Sequence, residues 1–164
     1  ALKRSWQCAT IQLDFQMPEK FDLSYIGEDN RKYRPVVIHR AVYGSIDRFI
    51  GILTEHYSGA FPLWLAPVQA KVLPVSDRYL DYALQVKEKL ASSSIRVEVD
   101  ARNEKLGYKI REAQLEKVPC MLIVGEQEAQ DGTASLRKRG EGDLGAVRVT
   151  DIADRLCREI REKQ

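Results

Sequence analysis

From residue 70 onward, short β-branched runs alternate with helical periods, and this alternation limits the possible folds more than any other feature of the chain. Lys71–Val75 reads as a strand. Arg78–Leu90 has helical spacing, with Leu80, Ala83, Leu84, Lys87 and Leu90 on one side. Ile95–Val99 is a second strand, Leu106–Val118 a second helix, and Cys120–Val124 a third strand. That third strand has no polar residue beyond its cysteine, as suits a strand covered on both faces. Thr133–Arg139 and Ala146–Val149 are two shorter strands. A last helix starts near Thr150, with Ile152, Leu156 and Ile160 at intervals of four. The order predicts an α/β domain built on a mixed, mostly parallel five-stranded sheet with three helices.

The first part of the chain has a different rhythm. WQCATIQLDF (6–15) is aromatic and β-branched, with neither Gly nor Pro, and reads as a strand. Alternation puts Trp6, Cys8, Thr10, Gln12 and Asp14 on one face and Ala9, Ile11, Leu13 and Phe15 on the other. Met17–Phe21 reads as a helical turn opened by Pro18, Gly27–Asn30 as a turn, and Pro35–Val42 as a second strand. Ser45 can cap a helix whose apolar positions, Ile46, Phe49, Ile50, Leu53 and Tyr57, form one face to be buried. Ser58-Gly59 ends that helix. Two prolines between Phe61 and Pro67 mark a boundary, dividing the chain into residues 1–65 and 66–164. A strand so near a first residue that is not Met suggests a piece of a longer protein.

Charge and cysteine usage exclude several classes. The chain has 26 basic and 24 acidic side chains among 164 residues. A net charge of +2 leaves no general cationic coat for nucleic acid, so any RNA binding must rest on local groups. Arg102, Lys105, Lys109 and Arg111 form one local basic cluster, and Arg137-Lys138-Arg139 another. Cys8, Cys120 and Cys157 are odd in number and far apart, which fits neither a disulfide framework nor a zinc ribbon, and suits a reducing, cytoplasmic setting. No apolar run approaches the roughly 20 residues of a membrane helix, and no signal-peptide pattern opens the chain.

Short motifs are weak guides here. GEGDLG (140–145) matches GxGxxG, yet a β-like AVRV follows it where a dinucleotide loop needs a helix, so it reads as a turn between strands. His39 in an apolar strand reads by itself as a hydrogen-bonded core histidine. Arg48, in the first turn of a helix, opposes the helix dipole unless it meets an anion; by itself it reads as a solvated cation or a partner of Asp47.

Longer runs say more. WQCATIQLDF (6–15), YIGEDN (25–30), IHRAVYGSIDRFIGILTEHYSGAFPLWLAPVQ (38–69) and DARNEKLGYKIREAQLEKVPCMLIVGEQE (100–128) together resemble the C-terminal part of threonyl-tRNA synthetases, which are class II aminoacyl-tRNA synthetases. The resemblance extends over essentially the whole chain. It implies that residues 1–65 are the end of an antiparallel catalytic domain, with class II motif 3 at GSIDRF (44–49). It implies that residues 66–164 are an anticodon-binding domain.

The family joins threonine to its tRNA with ATP and Mg2+, and works as a homodimer away from membranes. The resemblance implies that Arg48 holds ATP against its adenine ring. Gln7, Thr10 and Ser45 match positions near the nucleotide, and Gln12 one near threonine and the reactive phosphate. His39 matches one of three zinc ligands. Asn103, Glu128 and Arg137 match positions that contact the anticodon loop of the threonine tRNA, with Lys105 beside them. Gln7 alternates onto the face opposite Thr10 and Gln12, so either a bulge intervenes or one match fails. Motifs 1 and 2 and the remaining zinc ligands have no counterpart in this sequence, so the chain alone is expected to be inactive. The runner-up reading is a stand-alone RNA-binding accessory protein built on the same anticodon domain, for which the retained GSIDRF has no use.

Overall fold

The structure is a computed structural model that describes residues 4–163; Ala1–Lys3 and Gln164, the outer ends of the two segments assigned from sequence, lie outside the described residues. The chain divides into two compact units, Ala1–His56 and Tyr57–Gln164.

The first unit contains β1 (Thr10–Asp14), α1 (Gln16–Lys20), β2 (Tyr25–Ile26), β3 (Lys32–Tyr33), β4 (Val37–Ala41) and α2 (Ile46–His56). β1 pairs antiparallel with β4, and β2 with β3. The Asp14 carboxylate starts α1 by accepting the N–H groups of Gln16 and Met17, both at 2.9 Å. Pro18 occupies the third helical position, where its missing N–H costs nothing. Gly27 and Asn30 close the β2–β3 hairpin. A Cβ on Gly27 would lie 2.6 Å from the Tyr33 ring, and Asn30 takes the left-handed conformation. At α2, Ser45 Oγ accepts the Arg48 N–H at 3.4 Å, the capping arrangement expected from sequence.

Two expectations for this unit fail. The strand begins at Thr10 rather than Trp6, so strand alternation does not reach residues 6–9. The apolar face of α2 is not buried: Ile46 is 71% exposed and Ile50 53%. The amphipathic period is real, but among the described residues the face is only half covered at Phe49 and Leu53, and no α2 residue is buried.

The second unit runs β5 (Ala70–Pro74), a 3-10 turn (Asp77–Tyr79), α3 (Leu80–Ser92), β6 (Val97–Val99), α4 (Leu106–Leu115), β7 (Cys120–Val124), α5 (Glu126–Asp131), β8 (Thr133–Lys138), β9 (Gly142–Arg148) and α6 (Val149–Glu162). These strands form one five-stranded mixed sheet in the order β6-β5-β7-β8-β9. β5 is parallel to β6 and β7, and β8 is antiparallel to β7 and β9, so the pairings divide evenly between the two kinds. The three long helices are those expected; the short α5 is additional.

The core follows strand alternation. Val72, Leu122, Val124 and Leu136 point to the face packed by Ala83, Val86 and Leu90 of α3 and Ile152 and Leu156 of α6. Leu73 and Met121 point the other way, onto Ala113 of α4 and Val118. Each fully buried leucine, such as Leu73, Leu122 or Leu136, contributes about 1.5–3 kcal/mol of transfer free energy. Within α3 the inward residue is Val86, whereas Leu84, placed inside by the sequence pattern, is 44% exposed. Gly140, at positive φ, sits in the β8–β9 turn, but that turn is shorter than the GEGDLG reading made it: β9 already begins at Gly142, so residues 142–145 are strand. Among the described residues no helix is long and apolar enough to cross a membrane.

Candidate functional site

The first unit brings together most of the residues matched to nucleotide and threonine. Antiparallel register sets Gln12 opposite His39 and Thr10 opposite Ala41. Thr10, Gln12 and Asp14 therefore share one face with His39, and Gln12, Asp14 and His39 line an open depression of about 920 Å³. His39 Nε2 lies 3.1 Å from Asp14 Oδ2. Asp14 is held below the ordinary aspartate value, first by the Met17 N–H and then by His39.

Gln7 meets Thr10 by a route that strand alternation does not describe. It precedes β1, and its amide donates to Thr10 Oγ1 at 2.9 Å. Arg48 sits with its guanidinium 5.5 Å from the centroid of the Trp6 ring. Trp6 escaped the sequence reading as a site residue; the available signal was a tryptophan directly beside Gln7. The set offers amide, hydroxyl, imidazole and guanidinium groups suited to holding a polar nucleotide.

The residues present do not make a zinc site. Among the described residues no three His, Cys, Asp or Glu side chains gather in a metal-binding group. Zinc needs about three protein ligands, and His39 has only Asp14 beside it.

In the second unit, Asn103 and Lys105 are exposed on the loop between β6 and α4. Glu128 lies past the carboxyl end of β7, in the first turn of α5. Its Oε2 accepts the Gly125 N–H at 3.0 Å, closing the start of that helix. Arg137 is opposite Met121, at the amino end of β7. The structure thus sets Asn103 and Glu128 toward one end of the sheet and Arg137 about 10 Å of strand away toward the other. Arg137 lines a cavity of about 390 Å³ with Gln114, Met121 and Gly142. Its Nε is 3.7 Å from Asp143, an exposed contact that leaves the guanidinium fork available. Gln114 and Met121 were not singled out from sequence, since both sit in ordinary helix and strand patterns.

Four members of the basic clusters, Arg102, Lys109, Lys138 and Arg139, are buried or bound by other groups, whereas Lys105 and Arg111 stay exposed. Lys109 is 1% exposed. Arg102 forks onto Asp100 at 2.8 and 2.6 Å, and Lys138 is paired with Glu141 at 2.6 Å and Glu159 at 3.0 Å. Arg139 donates to the carbonyls of Lys117, Ala60 and Phe61. Proximity along the chain did not reveal that acids and carbonyls from other elements would claim these groups.

Comparison with known proteins matches two families along the chain. The anticodon binding domain family matches residues 69–159, more than half of the chain. The class II tRNA synthetase core domain family (G, H, P, S and T) matches residues 1–57. A threonine–tRNA ligase of Syntrophomonas wolfei is 61% identical over 99% of this chain, and one of Acetivibrio thermocellus is 58% identical over all of it. The chain spans about a quarter of the length of these curated relatives (26% of each). The crystal structure of the RNA binding domain of threonyl-tRNA synthetase from Cryptosporidium parvum Iowa II superposes with a TM-score of 0.87 at 38% identity, covering 95% of this chain and 40% of that one.

Proposed function

Because the chain belongs to the anticodon-binding-domain family and matches a class II synthetase core over residues 1–57, we propose that it forms the motif 3 and anticodon-reading part of a threonine–tRNA ligase. The observation that carries this reading is identity near 60% to such ligases along the whole chain, through both units.

In this reading residues 1–65 belong to catalysis and residues 66–164 to tRNA recognition. The parent enzyme consumes threonine and ATP, the latter with Mg2+, works as a homodimer and acts in the cytoplasm, a setting that suits three free cysteines. Arg48 holds ATP against its adenine ring, and its fixed positive charge, with the like-signed α2 N-terminus behind it, favours the nucleotide as charge develops on the reacting phosphate. Thr10 and Gln7, already bonded to each other, form a prearranged polar edge for the nucleotide. Gln12 orients threonine next to it. His39, which cannot hold a metal by itself, would contribute one ligand to a threonine-reading zinc in the parent enzyme. In the other unit Asn103, Lys105, Glu128 and Arg137 meet the anticodon loop, where unstacked bases expose their edges.

The test is a fluorescence titration of the whole 164-residue chain against a threonine anticodon stem-loop and a stem-loop of scrambled loop sequence. Tighter binding of the first is expected. Equal affinity for both would remove sequence-specific reading by this chain.

A further inference from the structure

Lys109 is the most completely buried charged residue among the described residues, and the reading above gives it no role. It extends from α4 to the carboxyl ends of two neighbouring strands. Its Nζ donates to the carbonyl of Pro74, the last residue of β5, and to the carbonyl of Asp100, just past β6, both at 3.2 Å. A lysine is rarely buried to this degree without a task, because desolvating an ammonium is costly unless it is bonded and compensated. Ordinary packing would be served by a methionine.

What Lys109 grips is the first residue of a built loop. Asp100 is itself 5% exposed. Its Oδ1 accepts the Arg102 N–H at 3.2 Å, and its two oxygens take the Arg102 guanidinium. That guanidinium lies 5.7 Å from the centroid of the Tyr108 ring, one residue before Lys109. The Lys105 carbonyl then accepts the N–H groups of Tyr108 at 2.9 Å and Lys109 at 3.2 Å. Residues 100–105 are thus anchored at both ends to α4, and Asn103 lies between the anchors with its amide exposed, next to the exposed Glu104 and Lys105.

We infer that Lys109 is a positioning residue for RNA reading: by tying Asp100 to the end of β5 it sets the loop that presents Asn103 to a base. An Asn amide discriminates between bases only when its donor and acceptor are correctly oriented, so a loose loop would still attract RNA but would read it poorly. The inference rests on the proposed anticodon role.

The experiment is a double-mutant cycle on the 164-residue chain with the same two stem-loops, using Lys109→Met, Asn103→Ala and the pair together. Lys109→Met is expected to lower the ratio of cognate to scrambled affinity about tenfold, the size of one lost base contact. In the Asn103→Ala background it should lower the ratio no further. A purely structural lysine would reduce both affinities by the same factor, through the folded fraction, and leave the ratio unchanged. An unchanged ratio in Lys109→Met, or a further fall in the Asn103→Ala background, would overturn the inference. Should Lys109→Met fail to show helical circular dichroism, Lys109→Leu, which likewise gives the carbonyls no donor, replaces it with the same two outcomes. Failure of the unmutated chain to discriminate at all would instead remove the proposed anticodon role.

Discussion

Glu128 and Gly125 are joined by a 3.0 Å hydrogen bond from the Gly125 N–H to the Glu128 carboxylate, so an acid matched to RNA contact already closes the start of α5. A carboxylate has four lone-pair sites and one donor uses only one of them. Capping and base contact are therefore compatible, and substitution separates them. Glu128→Ala should cost about 0.5–2 kcal/mol of stability, seen as a lower melting temperature. Glu128→Gln keeps an acceptor and should recover most of that loss. If Gln restores stability while stem-loop affinity stays low, the carboxylate charge meets RNA directly.

Arg137 and Lys105 should behave differently from each other. Arg137 has a cavity beside it and a free fork, so Arg137→Ala should weaken the cognate stem-loop by about 1–3 kcal/mol and narrow its lead over the scrambled one. Lys105 is an exposed point charge. Lys105→Ala should weaken both RNAs alike and reduce the slope of log affinity against log salt by about one unit. Lys138→Ala should scarcely alter the salt slope, because Glu141 and Glu159 already neutralise it.

Motif 3 is tested in a full-length ligase carrying this sequence. Arg48→Ala should slow threonine-dependent pyrophosphate exchange by about 10²–10³-fold, the usual effect of removing one fixed charge contact to a transition state. Trp6→Ala, which removes the ring beside that guanidinium at 5.5 Å, should have a smaller effect in the same direction. Normal exchange by the Arg48 variant would place the arginine outside the site.

Asp100 makes the second unit sensitive to acid. The Arg102 guanidinium bonded to its carboxylate holds it below the ordinary aspartate range, against the opposing effect of burial. A carboxyl with a depressed folded-state value contributes stability above its unfolded value near 3.9 and loses it as pH falls through the lower folded one. Asp100→Asn should therefore be less stable at neutral pH and show a flatter loss of stability below about pH 4. Denaturant midpoints measured from pH 7 to pH 2 decide this.

The thiols should separate by burial. Cys120 is fully buried, and burial pushes its thiol up to about 12. Cys8 and Cys157 are partly exposed. Mass spectrometry after iodoacetamide at pH 8 should find Cys8 and Cys157 alkylated and Cys120 intact in the native chain, with all three modified in denaturant.

Much of this architecture was legible because long-period signals survive in any context. β7 announced itself through CMLIV, and α6 through Ile152, Leu156 and Ile160. The misses have physical causes. α5 is six residues of which only Ala129 is apolar, too short and too polar to show a period; its helix rests on Gly125 and Glu128. Leu84 and Val86 exchanged places because several apolar stripes can be drawn on α3, and packing against the sheet selects among them. The polar face of β1 could be read from alternation, but Gln7 could not, since nothing local marks Thr10 as the first strand residue. Lys109 looked like one more surface cation, because burial is a property of the fold and not of its neighbours in sequence.

One feature of the second unit bears on how it would respond to force. Before β5 the chain has no regular structure over residues 57–69, yet side chains, two from elsewhere and one from its own end, hold its carbonyls. Arg139 takes those of Ala60 and Phe61, Gln69 that of Leu63, and Arg96 those of Trp64 and Ala66. A pull applied at Tyr57 would load these bonds one after another and reach the β5 ladder last. The segment would then behave as a graded shock absorber, shedding small steps of extension before the sheet gives way in a single rupture.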